Sequence, residues 1–451
     1  MDTAPEALLA TAQAGVDRAK RGGADDAEVF VWAATRHKAE QAGGAAAMAA
    51  TDHSGVGVRL AVGKRVTMAQ SSGVQDKDVA WAVDETLREA RRVAEDPGFR
   101  QFPDPTAGQR APTQVERAIA EPDPERLLAD VRALVAGAQR RAGLTYIAAA
   151  LQACSSAFAV ANARGVAAWD REAYEQLDLE LRATGPGGHR VAVEKRASPS
   201  QLGRALDLGA LGEEAARRAA EATSTQPLQG VAREVILDPA NGAALLGLYS
   251  RVLSANLRAQ TPLGNKLGQP VASPELTLRE DPLEHGCRRQ RVDDEGVPTQ
   301  PRALVERGVL RGFLYDARTA LAEGASLTGN GLRPLELRYA GTPAPRPANL
   351  EVEAGTWSRE ELIEGAERAV LVQDLLLGTF AFSLVNGDFS FVAPSAHLVE
   401  HGRVAHALPP TTVAGNLYKA VADVQAVGRE RQRVLHGNFP AVRVTGITCA
   451  T

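Results

Sequence analysis

Beyond Gln260 the chain breaks into short strand-like runs, and glycine-bearing turns close them one after another: DDEGVP, ERGVLRG, TGNG, VNGDFS, EHGRV and VAGNL. Glycine enters the positive-φ region without the penalty a Cβ would bring. A series of such turns commits this half to strands folded back on one another rather than to a helical bundle. No fixed-period repeat or low-complexity tract accompanies them.

The preceding half reads differently. Residues 6–20 place Leu8, Ala12, Val16 and Ala19 on one helical face, and Gly22-Gly23 ends the run. DAEVFVWAAT alternates as a strand does, and VGVRLAVGKRVTMAQ reads as a hairpin turning at Gly63-Lys64. A second helix starts at Asp78 and faces Val79, Val83, Leu87, Ala90 and Ala94 inward. Residues 97–112, rich in Pro and Gly, read as a linker. Helix resumes in PERLLADVRALVAGAQRRAG. Strand-like segments run from about Leu144 to Arg182 around an ANARG turn, and ALGEEAARRAAEAT is helical again. REVILDP is a strand ending at Asp238-Pro239, and NGAALLGLYSRVLSANL follows as an amphipathic helix. The expected fold is therefore α+β. It has an N-terminal helix-strand domain with an antiparallel sheet (1–96), a linker (97–112), a middle α/β segment (113–223), and a β-rich C-terminal domain (231–451) with a helix packed on it.

A formal charge of −4 carries no basic footprint, so no nucleic-acid partner is expected. The most apolar stretch, AVLVQDLLLGTFAF, carries Asp374 in its middle, so no membrane span is expected. The N-terminus lacks the basic flank and apolar core of a signal peptide. Cys154, Cys287 and Cys449 are odd in number and far apart, which argues against a disulfide framework and for a reducing cytoplasm.

The pattern closest to a metal motif is HLVEH, His397 to His401, which matches the H-x-x-E-H of one zinc-peptidase class. Such a site needs both imidazoles one turn apart on a helix. Here His401-Gly402 is a turn signal between two β-compatible runs, and Pro409-Pro410 follow. On a strand the two histidines would stand about 13 Å apart. The expectation is a hairpin, with His406 on the return strand able to sit across from His397. EHGC, Glu284 to Cys287, reads as a loop with chance neighbours. The acids of DDEG, 293 to 296, are expected to cap backbone N–H groups or to face water. Serine-nucleophile, dinucleotide and P-loop signatures are absent.

Several stretches together resemble the TldD/PmbA family of peptidase subunits. GADDAEVFV with SGVGVRLAVGKRVTMAQSS is similar to its first domain, and FAVANARGVAAWDRE to its middle one. The C-terminal half is the most similar, through GQPVASPELTLREDP, VDDEGVPTQPRALVERGVLRGFLYDARTA, TGNGLR, NGDFSF and TTVAGNL. In one branch of that family, zinc is held by H-E-x-x-x-H on the helix after a strand and by a cysteine near the C-terminus. The equivalent helix follows REVILDP. Laying the motif on ALLGLYSRVL puts Gly247 and Val252 at the histidine positions and Leu248 at the glutamate position. Leu435 and His436 stand near where the cysteine would fall, and Cys449 comes too late. The chain thus resembles the PmbA/TldE-like branch, which lacks the motif and pairs with a TldD-like chain.

The resemblance implies a cytoplasmic subunit with no catalytic residue and no metal of its own. Zinc would sit in a TldD-like partner carrying HExxxH, and unfolded or leader peptides would be the substrate. Thr328, Gly329, Asn330 and Gly331, and Asn386, Gly387 and Asp388, are candidate turns with exposed backbone for peptide binding. A second reading is a stand-alone peptide-binding scaffold that forms a homodimer. A third is an independent hydrolase using Asp293, Glu295, His397 and His436.

Overall fold

Helix α1 (Pro5–Arg21) starts at a proline, which suits the first helical turn, and ends on three basic residues that complement the helix dipole. It buries Leu8, Ala12, Val16 and Ala19, the face read from spacing. In α2 (Asp76–Ala90) Gln75 and Asp78 form a capping box. Val79, Val83, Leu87 and Ala90 point inward, whereas Ala94 lies exposed past the helix end. The computed structural model describes residues 4–106, 112–185, 188–221, 223–283, 289–374, 381–434 and 437–451.

Both helices cover a sheet of β1 (Asp26–Ala42), β2 (Ala45–Val62), β3 (Arg65–Ser72), β4 (Leu144–Asn162), β5 (Ala167–Gly185) and β6 (Gly188–Ser198). Its order is β3-β2-β1-β4-β5-β6, with antiparallel neighbours throughout. The segments 1–96 and 113–223, expected as separate units, therefore share one sheet. β1 pairs with β4 from Glu28↔Asn162 to Ala42↔Ala148. Period-2 alternation reports which face of a strand is buried and is silent on which strand lies beside it.

The helical turns α3 (Arg117–Ala120) and α5 (Leu202–Ala205) flank α4 (Pro124–Gln139) and α6 (Leu208–Glu221), which cross closely beneath the β4–β5 end. A Cβ at Gly212 would stand 2.1 Å from the Leu134 carbonyl oxygen, so the crossing requires glycine there. The expected linker is no loose tether. Phe99 and Phe102 are buried edge to face with ring centroids 5.4 Å apart, and the Phe102 N–H donates to Asp26 Oδ2 at 3.0 Å. Residues 107–111 of that stretch lie outside the described residues.

The C-terminal half is β-rich, as expected, around a large mixed sheet. β7 (Ala232–Leu237) lies parallel to strand Arg368–Asp374 on one side and antiparallel to strand Gly437–Ala450 on the other. Strand Gly437–Ala450 also pairs with strands Leu350–Val352, Thr411–Asn416 and Val424–Val434. Helix α7 (Pro239–Val252) packs on this sheet, with Leu245, Leu246, Tyr249 and Val252 in the main apolar core. Among the described residues no helix is long and apolar enough to cross a membrane.

Candidate functional site

Helix α7 buries one face in the core and opens another onto a cavity of about 470 Å³. Ala243, Gly247, Arg251 and Ser254 line it at intervals of four, four and three, the repeat of one helical stripe running on past the helix end. A Cβ at Gly247 would meet nothing within 4 Å, so this glycine borders open space and reflects no tight packing. Leu248 also lines the cavity. Val252 does not: it is fully buried in the core. Five residues of α-helix turn through about 140° beyond a full circle, which separates positions 247 and 252 onto different faces.

The opposite wall brings Arg333, Arg346 and Phe439 to the same space. A second cavity, of about 580 Å³, lies between the loop 96–102 and helix Ala317–Glu323 and shares Asn256, Ala344 and Pro345 with the first.

Gly247, Leu248 and Val252 offer no side-chain nitrogen, oxygen or sulfur, so the donor set at α7 does not fit zinc. Cys449 is fully buried on strand Gly437–Ala450 opposite Val413, and burial pushes its thiol up to about 12, far from the thiolate a metal requires. Leu435 and His436 lie outside the described residues, as does EHGC at 284–287. Among the described residues no group of three His, Cys, Asp or Glu side chains is placed to hold a metal.

HLVEH is a hairpin. Strands Ser395–Glu400 and Arg403–Leu408 meet at His401 and Gly402, both at positive φ (49° and 73°), the signature of a tight two-residue turn. The expected placing of His406 across from His397 is one residue out. His397 pairs with Ala407 and His406 with Leu398, so alternation sends the two imidazoles to opposite faces. His401 lies exposed beside Glu367, while burial lowers the pKa of His397.

The two candidate peptide turns fare differently. Thr328, Asn330 and Gly331 are buried, and the fold itself occupies their polar groups. Thr328 exchanges hydrogen bonds with the Tyr315 backbone at 2.8 Å, the Gly331 N–H donates to Asp293 Oδ2, and Asn330 Nδ2 donates to Glu280 and to the Arg346 carbonyl. A Cβ at Gly329 would stand 2.6 Å from the Pro298 carbonyl oxygen. TGNG thus offers no exposed backbone of the kind expected; its turn signal marked a buried crossing. Asn386 and Asp388 are exposed on either side of Gly387, but Asn416 Nδ2 donates to the Asn386 carbonyl at 2.7 Å and to Asp388 Oδ1 at 3.1 Å.

DDEG lies in a buried ionic cluster between the N-terminal sheet and the C-terminal half. Asp293 Oδ1 accepts from the Glu295 and Val297 N–H groups, which is the capping expected of a turn acid. Arg59 chelates Glu28 through two hydrogen bonds of 2.8 and 2.9 Å and donates to Glu295 Oε1 at 2.8 Å. Arg333 reaches Glu28 at 2.8 Å and stacks over Phe30, while Arg338 pairs with Asp294 and stacks over Phe158. Burial lifts Glu295 to about 7 against the pull of Arg59, and lowers Arg333 to about 10. Local pattern reading missed Arg59, Arg333 and Arg338. The one available signal was the placing of Arg333 and Arg338 in the mostly apolar GLRPLELRYAG, whose only other charge is Glu336.

Among the described residues, those of the hydrolase reading are not brought together. Asp293 and Glu295 belong to this cluster, whereas the charges around His397 are Glu221, Arg217, Arg359 and Asp238.

Residues 230–451 match the family described as PmbA/TldA metallopeptidase C-terminal domain. A metalloprotease of Synechocystis sp. is 30% identical over 260 residues, covering 55% of this chain and 54% of its own. A metalloprotease TldD homolog of Haemophilus influenzae is 28% identical over 229 residues, covering 48% and 45%. The chain spans about half the length of the curated relatives it matches. Two crystal structures share the fold nearly end to end. TldE from Thermococcus kodakarensis superposes with a TM-score of 0.86 at 22% identity over 98% of this chain and 100% of that one. A protein described as a modulator of a DNA gyrase from Thermotoga maritima gives 0.85 at 19% over 98% and 99%.

Proposed function

We propose, from the premise that this chain belongs to the TldD/PmbA family, that it is the zinc-free subunit of a two-chain metallopeptidase. A TldD-like partner carrying HExxxH supplies the metal and the catalytic groups. This chain completes the cavity in which an unfolded or leader peptide is held, and the complex works in the cytoplasm. One observation carries the reading: the helix that would bear the zinc motif lines a cavity of about 470 Å³, yet presents a glycine and a leucine there. Core packing accounts for the buried face of α7 and gives no account of the open one.

The test is co-expression with a TldD-like chain. Zinc content and cleavage of an unstructured peptide are measured for each chain alone and for the mixture. The expected result is a stable complex, one zinc per pair, and cleavage only by the mixture. Stoichiometric zinc and cleavage by this chain alone would overturn the proposal.

A further inference from the structure

We infer that the α7 cavity is a binding site for a peptide carboxylate. This deepens the peptide-cavity reading above and rests on it for the ligand's being a peptide. Three arginines line the cavity, Arg251, Arg333 and Arg346, and no aspartate or glutamate does among the described residues. Its remaining walls are largely apolar, including Leu248, Leu335 and Phe439. Cations set in apolar, water-poor walls favour a planar anion that accepts charge-assisted hydrogen bonds.

Glu28 is shared between Arg59 and Arg333, Glu295 also takes Arg59, and the Arg333 side chain is fully buried. The Arg333 Nε is buried with no hydrogen-bond partner among the described residues. Arg251, one turn beyond Gly247, is exposed; its guanidinium lies over the Phe382 ring at 5.5 Å and has no carboxylate partner among the described residues. The cavity's size suits a short peptide end. Asn256, Ala344 and Pro345 line both cavities, so the second lies directly beside the first.

The carboxylate can come from a peptide's C-terminus or from an Asp or Glu side chain. Three fluorescein-labelled decapeptides of Ala, Leu and Ser separate these sources: a free C-terminal acid, its amide, and the amide with one internal Glu. Anisotropy with the full chain is expected to show the free acid binding about tenfold more tightly than the plain amide, the scale of one charge-assisted contact. Tight binding of the Glu-containing amide too would assign the site to carboxylates generally; weak binding would restrict it to C-termini. Arg251→Glu reverses the local charge, and Gly247→Phe fills the cavity from a position with open space around it. Both are expected to abolish the preference, and Arg251→Lys to retain part of it, with unchanged thermal melts showing each variant folded. Equal binding of acid and amide, or a preference that survives in folded Arg251→Glu and Gly247→Phe, overturns the inference. If the mixture with a TldD-like chain binds zinc and cleaves while those variants keep the preference, the site fails and the subunit reading stands. If the preference is present but no TldD-like chain forms a complex, the subunit reading fails and the site stands.

Discussion

Arg333 donates from Nη2 to Glu28 Oε1 at 2.8 Å, although the two residues lie 305 positions apart and both side chains are fully buried. Glu28 stands on β1 and Arg333 in the C-terminal half, so the contact fastens the first sheet to the cavity wall. Arg59 on β2 takes the same carboxylate, and Glu295 takes Arg59.

Glu28→Ala leaves two buried guanidinium groups without their shared acceptor. Removing one partner of a buried pair costs about 3–5 kcal/mol, whereas replacing both partners with apolar groups of similar shape costs less. Urea unfolding should place Glu28→Ala in that range and show Glu28→Gln/Arg333→Met recovering part of the loss. A cost below about 1 kcal/mol for Glu28→Ala would mean the cluster is not structural.

Glu280 sets a pH dependence. Its carboxylate is fully buried, accepting from the Ala348 N–H and Asn330 Nδ2, and burial lifts it from 4.5 to about 7. The folded chain therefore keeps a proton that the unfolded chain releases across that interval. The stabilisation is complete below 4.5 and is lost as pH rises toward about 7. Asp374, raised to about 6, and Glu295, raised to about 7, act in the same direction. Denaturation midpoints measured across the interval should fall less steeply in Glu280→Gln than in the parent; identical slopes would refute this.

The hairpin turn makes unequal demands on its two residues. A Cβ at Gly402 would lie 2.7 Å from the Glu364 carbonyl oxygen at a φ of +73°, so Gly402→Ala should cost about 1–3 kcal/mol. His401→Asn should change stability by less than about 1 kcal/mol, because Asn-Gly is the favoured pair for this turn. Thermal melts measure both, and zinc titration should not distinguish His401→Asn from the parent.

Grafting the zinc motif onto α7 should fail. Gly247→His projects into open space and should fold normally. Val252→His buries an imidazole in an apolar core at about 1–3 kcal/mol, away from the cavity onto which position 247 opens. Gly247→His/Leu248→Glu/Val252→His should therefore melt lower and take up no stoichiometric zinc by metal analysis. A zinc-loaded, stable triple variant would show that α7 can rotate its faces.

The legible parts of the fold were those encoded within a few residues. The buried face of α1 follows from the spacing of Leu8, Ala12, Val16 and Ala19, and the hairpin follows from His401-Gly402. Asp26 to Ala33 of β1 are buried on both faces, Val29 and Val31 in one core cluster and Phe30 and Trp32 in another, and the pairing of Ala33 with Ala157 depends on which strands meet, which no local pattern encodes. The cavity was half legible. The open stripe of α7 can be drawn on a helical wheel, whereas the meeting of Arg251 with Arg333 depends on tertiary packing. TGNG shows the converse: its turn chemistry was real, and its burial came from the elements laid over it.

Strand Gly437–Ala450 occupies the middle of the C-terminal sheet, between β7 and the strands it gathers on its other flank. During synthesis β7 leaves the ribosome long before this neighbour exists. Its edge then presents unpaired N–H and C=O groups that any passing strand could take. The first sheet can assemble as it emerges, but the C-terminal one must wait for a strand made only after residues 238–436 have followed β7 out. Folding of that half is thus a late, largely single event, and the interval before it is when the nascent chain most needs protection from mispairing.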